Sequence, residues 1–188
     1  MGIEQHKTFS HWNYFLSIEE DISKLSRWVE LSEINYKCYS LEIARLLMTT
    51  AAEVDVIAKL ICKGIDPQSR AKGIQSYQRE IVAEFPAIYK AKVLVPRFGL
   101  TLKPWSNWET ENTSPLWWKA NNNVKHQRSE FFHEATLKNL LNAVAALLLF
   151  LVLYYGEEIK DLAPKSALFV PNSFCVKIGG DWMYMHMS

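Results

Sequence analysis

The run Asn121-Asn122-Asn123-Val124-Lys125-His126-Gln127-Arg128 concentrates the groups in this sequence that are able to do chemistry. It offers amides, two permanent cations and one imidazole that titrates near neutral pH. Such a set suits phosphate chemistry. A histidine can take a proton from a ribose hydroxyl or return one, while a neighbouring Lys or Arg stabilises the negative charge developing on phosphorus. His126 is therefore the candidate acid/base, with Asn122, Lys125 and Arg128 beside it in the catalytic set. Asn121, Asn123, Glu130 and His133 are candidates for substrate contacts. No metal or cofactor is required for this mechanism. The competing reading is that the same residues merely satisfy polar groups at a helix end.

The elements that must position these residues follow from local signals. Pro115 suits the first turn of a helix and Ser114 is a good N-cap, so a helix is expected from about Leu116. Running unbroken into the apolar segment beyond it, that helix would carry Asn122, His126, Glu130 and His133 on one face, with Glu134 alongside. The low helix propensity of three consecutive asparagines allows a break or tighter turn there instead. The spacing of His126, Glu130 and His133 also permits a metal site, although a single helix rarely supplies a full tetrahedral set.

Two apolar segments supply the core. Leu140 to Tyr155 is shorter than the roughly 20 apolar residues a bilayer requires and is interrupted by Asn142, which favours a core helix and no membrane span. A second helix is expected from Ser40 to Lys63, stopped by Gly64 and Asp66-Pro67. Its core positions are Leu41, Ala44, Leu47, Met48, Ala51, Val54, Ala58 and Ile61. The polar stripe Glu42, Arg45, Thr49 and Glu53 is either a solvated face beside an Asp55–Lys59 pair or the lining of a cavity facing His126.

The remaining elements are smaller. An amphipathic helix is expected from Ser17, with Ser17 and Glu20 as a capping box and Glu19, Glu20 and Asp21 in its first turn. The lead-in Met1 to Trp12 shows no clear period, and neither His6 nor His11 has a partner at ligand spacing. A third helix is expected over Arg70 to Glu84. Lys92-Val-Leu-Val and Leu100-Thr-Leu read as a hairpin around Pro96-Arg-Phe-Gly99. In the tail, Leu168 to Val170, Phe174 to Ile178 and Trp182 to Met185 read as short strands, the last two joined by Gly179-Gly180. They are expected to extend the hairpin into a small sheet. Trp105, Trp108, Trp117 and Trp118 read first as packing residues and second as base-stacking surfaces.

With 49% hydrophobic residues, 188 residues suffice for one core, so residues 1–188 are expected to form one domain with a strand-rich tail from about 165. A net charge of +1 excludes a general nucleic-acid-coating protein but leaves room for a local basic patch. Cys38, Cys62 and Cys175 are odd in number without C-x-x-C spacing, which supports neither a disulfide framework nor a zinc ribbon. The N-terminus lacks the layout of a signal peptide, and a cytoplasmic location is expected.

The stretch Asn121 to His126, placed ahead of a long apolar helix, resembles the Arg-Asn-x-x-x-His motif of the HEPN superfamily, the higher eukaryotes and prokaryotes nucleotide-binding domains. Ala51-Ala52-Glu53 and Lys59 likewise resemble the family's acidic inner helix, so the resemblance covers about Ser40 to Gly156. It implies a mainly α fold, a HEPN-like helical bundle with small β-hairpin additions. It further implies a metal-independent RNA-cleaving or RNA-binding protein without a cofactor. Homodimers forming a composite site, toxin or phage-defence systems and an antitoxin-type protein partner belong to the same expectation. The motif asparagine falls on Asn122 and its histidine on His126, while the arginine position holds Asn121, which carries no charge. Lys125 or Arg128 would have to substitute from a neighbouring turn. The alternative is a non-catalytic dimeric interaction module using the aromatic loop Trp105 to Trp118 as its anchors.

Overall fold

Helices in this chain form where apolar residues recur every three or four positions, in a computed structural model that describes residues 8–172 and the strands at 174–178 and 181–185. In chain order the helices are α1 (Ser10–Leu25), α2 (Leu41–Ile65), α3 (Ile74–Glu84), α4 (Leu116–His126), α5 (Arg128–Phe131) and α6 (Leu137–Tyr155). The strands are β1 (Val93–Val95), β2 (Leu100–Leu102), β3 (Val170–Pro171), β4 (Phe174–Ile178) and β5 (Asp181–Met185). The expected mainly helical class with small strands is therefore what is found.

The core is α6 packed along α2, with α1 and α4 against α6. Ser40 starts α2 by accepting the Ile43 N–H at 3.1 Å, and Thr136 starts α6 by accepting that of Asn139 at 3.3 Å. Each hydroxyl satisfies a helix-end donor that has no partner within its helix. Gly156 ends α6 with φ 52° and ψ −119°, a backbone that L side chains avoid. With the turn after it, α6 is long and apolar enough by length and composition to cross a membrane, yet 72% of its apolar window is buried inside the fold. That is the burial of a core helix.

Helix α1 begins at Ser10, because Trp12, Phe15, Ile18, Ile22 and Leu25 already form its buried face. Ser17 is consequently inside the helix, where its hydroxyl donates to the Tyr14 carbonyl at 2.7 Å rather than capping anything. Glu19, Glu20 and Asp21 are mid-helix for the same reason. Leu41 is 72% exposed because the first residue of α2 projects ahead of the core contact. Helix α3 begins after Gly73 instead of at Arg70, and α6 begins after the Thr136 cap instead of continuing the helix that starts near Leu116.

The hairpin is found with its first strand beginning at Val93 and not Lys92, Val93 opposite Leu102 and Val95 opposite Leu100, the turn closing at Gly99 with φ 64°. β3 adds to its other edge, Val93 opposite Pro171, giving the order β2-β1-β3. β4 and β5 pair with each other in a separate sheet and do not extend the first one. Gly179-Gly180 and His6 lie outside the described residues.

The four tryptophans pack. Trp105 stacks on Phe150 of α6 with centroids 4.3 Å apart and contacts Trp108 at 4.1 Å and Trp117 at 5.4 Å. All four are at least nine-tenths buried, so they cannot serve as the surface anchors that the interaction-module alternative assigned to them.

Candidate functional site

Helix α4 starts on Pro115, whose carbonyl accepts the N–H groups of Trp118 and Lys119, both at 3.1 Å. Ser114 makes no capping bond; Pro115 itself occupies the cap position with extended backbone. Trp117, Ala120, Asn121 and Val124 face the core, which turns Lys119, Asn122, Lys125 and His126 outward into solvent. Lys119, Asn122 and His126, at i, i+3 and i+7, share one side of the helix. Lys119 was not singled out in the sequence because it precedes the motif, yet its periodicity with His126 was readable.

The continuous face from Asn122 to His133 does not form. At Gln127 the backbone leaves the helical region, with φ −141° and ψ 52°. Arg128–Phe131 then makes a single turn and Phe132–Glu134 a short 3-10 turn, which delivers the chain to an antiparallel bridge between Thr136 and Tyr39. That tether to the segment ahead of α2 fixes where α6 must start, and a straight helix from α4 would overshoot it. Glu130 and His133 are exposed on these separate short elements. Among the described residues no three His, Cys, Asp or Glu side chains converge to hold a metal ion, so the His126, Glu130 and His133 alternative has no geometry behind it.

The other candidates divide sharply. Asn123 donates to the Glu134 carboxylate at 2.9 Å, tying α4 to the 3-10 turn, and so has a structural role. Asn121 is 7% exposed, and its carbonyl oxygen is buried without a partner among the described residues. The Arg128 guanidinium lies 3.8 Å from the Met48 sulfur of α2. Lys125, His126 and Arg128 form no ion pair with a carboxylate among the described residues. An imidazole without an orienting carboxylate is a weak acid/base by itself, whereas unpaired exposed cations are available to phosphates.

The polar stripe of α2 turns toward α1, not toward His126. Arg45 binds Glu42 at 2.6 Å and Asp21 at 2.7 Å. Glu53 binds His11 at 2.6 Å, so His11 does have a partner, forty-two residues away and invisible to any local spacing. Asp55 pairs with Lys59 as expected and also accepts from the Tyr77 hydroxyl at 2.8 Å.

No protein-family model, curated protein or solved structure matches this chain.

Proposed function

We propose that the outer side of α4, continued by α5, is the RNA-contacting face of a HEPN-like helical bundle, and that a single chain binds RNA without cleaving it. The observation that carries this reading is the grouping of Lys119, Asn122, Lys125, His126 and Arg128 in solvent within a short length of chain, the cations in that group having no carboxylate partner among the described residues. Cations held in this way contact phosphates without reading sequence. Cleavage would require a second copy, since among the described residues no carboxylate pairs with His126 and the family's arginine position holds Asn121. In a homodimer bringing two copies of this face together, His126 would act as acid/base and Asn122 would position it. An antitoxin-type partner, where one exists, would have to cover the same residues.

Fluorescence anisotropy with a labelled single-stranded RNA tests the binding. Replacing Lys125 and Arg128 together by Glu is expected to weaken affinity at least about tenfold and to flatten the salt dependence by about two counterions. Equal affinity and slope in the variant would reject the face. Light scattering tests the composite site: a particle of 21.8 kDa at working concentration, the monomer mass, removes it. Given a dimer that cleaves RNA, His126→Ala should abolish turnover with the fold intact, and His133→Ala should not.

A further inference from the structure

Beside the first turn of α4 lies a cleft of about 350 Å³, walled by residues from four separate stretches of chain. Glu33 and Tyr36 enter from the segment ahead of α2, Lys103 and Asn107 from the loop after β2, Leu116 from α4 and Lys138 from α6. Neither lysine has a carboxylate within ion-pair distance among the described residues. The Lys138 ammonium lies 5.8 Å from the centre of the Tyr36 ring. Glu33 sits on the Tyr36 side, where burial first and this carboxylate second hold the phenol above its ordinary pKa. Leu116 is 60% exposed, an apolar edge on a cleft that Leu102, Pro104 and Trp117 also line.

We propose that this cleft seats one nucleotide of a single-stranded RNA, its phosphate at Lys103 and Lys138 and its base against Tyr36 and Leu116. The inference rests on the RNA reading of α4 and extends it along the same helix. From Leu116 to His126 the helix rises about 15 Å, with Lys119 and Asn122 between them on the outer side. A strand leaving the cleft therefore passes two further phosphate- or base-contacting groups before it reaches the imidazole. The volume lies in the range of small-ligand sites, an aromatic ring gives a base a stacking partner, and Glu33 can accept a hydrogen bond from a base amino group.

The test titrates AMP into the labelled full chain and follows the backbone amide signals of Asn107 and Lys138 by NMR, alongside RNA anisotropy. AMP is expected to shift both signals, and replacing Lys103 and Lys138 together by Gln should abolish the shifts. The same double variant should weaken RNA binding about tenfold and lower the salt slope by about two, a readout that a purely structural role would not move. If the Lys125→Glu, Arg128→Glu variant loses RNA while the Lys103→Gln, Lys138→Gln variant keeps its affinity, slope and signals, the cleft is overturned and the α4 face stands. If AMP shifts the cleft signals and no RNA binds, the RNA reading fails while the cleft remains a mononucleotide site. Unshifted signals at millimolar AMP, with RNA binding unaffected by the two glutamines, sink the inference.

Discussion

His11 Nδ1 lies 2.6 Å from Glu53 Oε1, joining the first turn of α1 to the middle of α2. The two side chains are 25% and 13% exposed, and Tyr154 of α6 stands edge-on to the imidazole at 5.7 Å. Three helices thus meet at one ring. A double-mutant cycle with His11→Ala and Glu53→Ala, followed by urea unfolding, is expected to give a coupling of about 1 kcal/mol. Strictly additive losses would show that each side chain contributes packing alone.

Glu19 is 4% exposed, and its carboxylate accepts the N–H groups of Ala167 at 3.0 Å, Leu168 at 2.8 Å and Phe169 at 3.4 Å, together with the Ser166 hydroxyl. One side chain of α1 thereby holds the segment that leads into β3. Glu19→Ala would leave buried donors without an acceptor, so a loss of about 3 kcal/mol in unfolding free energy is expected, and Glu19→Gln should recover part of it. Proteolysis should then open the chain first near Ser166. A variant as stable as the parent would mean that water replaces the carboxylate.

What the sequence made legible depended on how local the cause was. Helices α2 and α6 and the β1–β2 hairpin follow from apolar period, capping residues and the Pro96 to Gly99 turn, all contained within a few positions. The roles of His11 and Glu19 depend on partners forty-two and about 147 residues away, for which spacing holds no signal. The break at Gln127 lies between these cases. Three asparagines warned of it, but its position is set by the Tyr39 and Thr136 bridge, a tertiary constraint that overrides local propensity. Leu41 was misread because periodicity identifies a face of a helix without showing where along its length the core begins.

Alkaline pH should weaken the fold in a defined order. Burial, and after it the Glu80 carboxylate, pushes the Cys62 thiol up to about 12 from 9.0. The unfolded chain therefore loses this proton near pH 9 while the folded chain keeps it, so the unfolded state binds fewer protons and stability falls as pH rises from about 9 to about 12. Tyr77, also raised by burial from 10.0, adds to the fall above pH 10. Cys62→Ala should remove up to about 1 kcal/mol of the decline between pH 9 and 10. Urea midpoints at those two pH values measure it, and an identical decline in the variant would assign the effect to other groups.

The tryptophan cluster contains an internal control. Trp117 Nε1 donates to the Pro104 carbonyl at 3.0 Å, while Trp105 Nε1 is buried without a partner among the described residues. Replacing either by Phe removes similar aromatic area, but at Trp117 it also leaves a buried carbonyl unsatisfied. Trp117→Phe is therefore expected to cost about 1 kcal/mol more than Trp105→Phe in thermal or urea unfolding. Equal losses would indicate that area alone decides at both positions.

Asn121 and Asn122, adjacent at the start of the motif, have opposite surroundings, the first buried and the second exposed. The HEPN resemblance puts an arginine at the position of Asn121, but this residue is 7% exposed on the side of α4 that also buries Trp117 and Val124. Asn121→Arg would force a guanidinium into that contact, so it should lower the unfolding free energy by several kcal/mol rather than create activity. Asn121→Leu, which removes the unpartnered oxygen at similar volume, should be neutral or stabilising. The outward place for a cation is the next residue. Asn122→Arg lies on the same side as Lys119 and His126, and it should keep the melting temperature, raise RNA affinity a few-fold and steepen the salt dependence by about one counterion. An Asn121→Arg protein that folds normally and cleaves RNA would show that α4 can rotate to expose this position. An Asn122→Arg protein with unchanged affinity would take the outer side of α4 off the path of the strand.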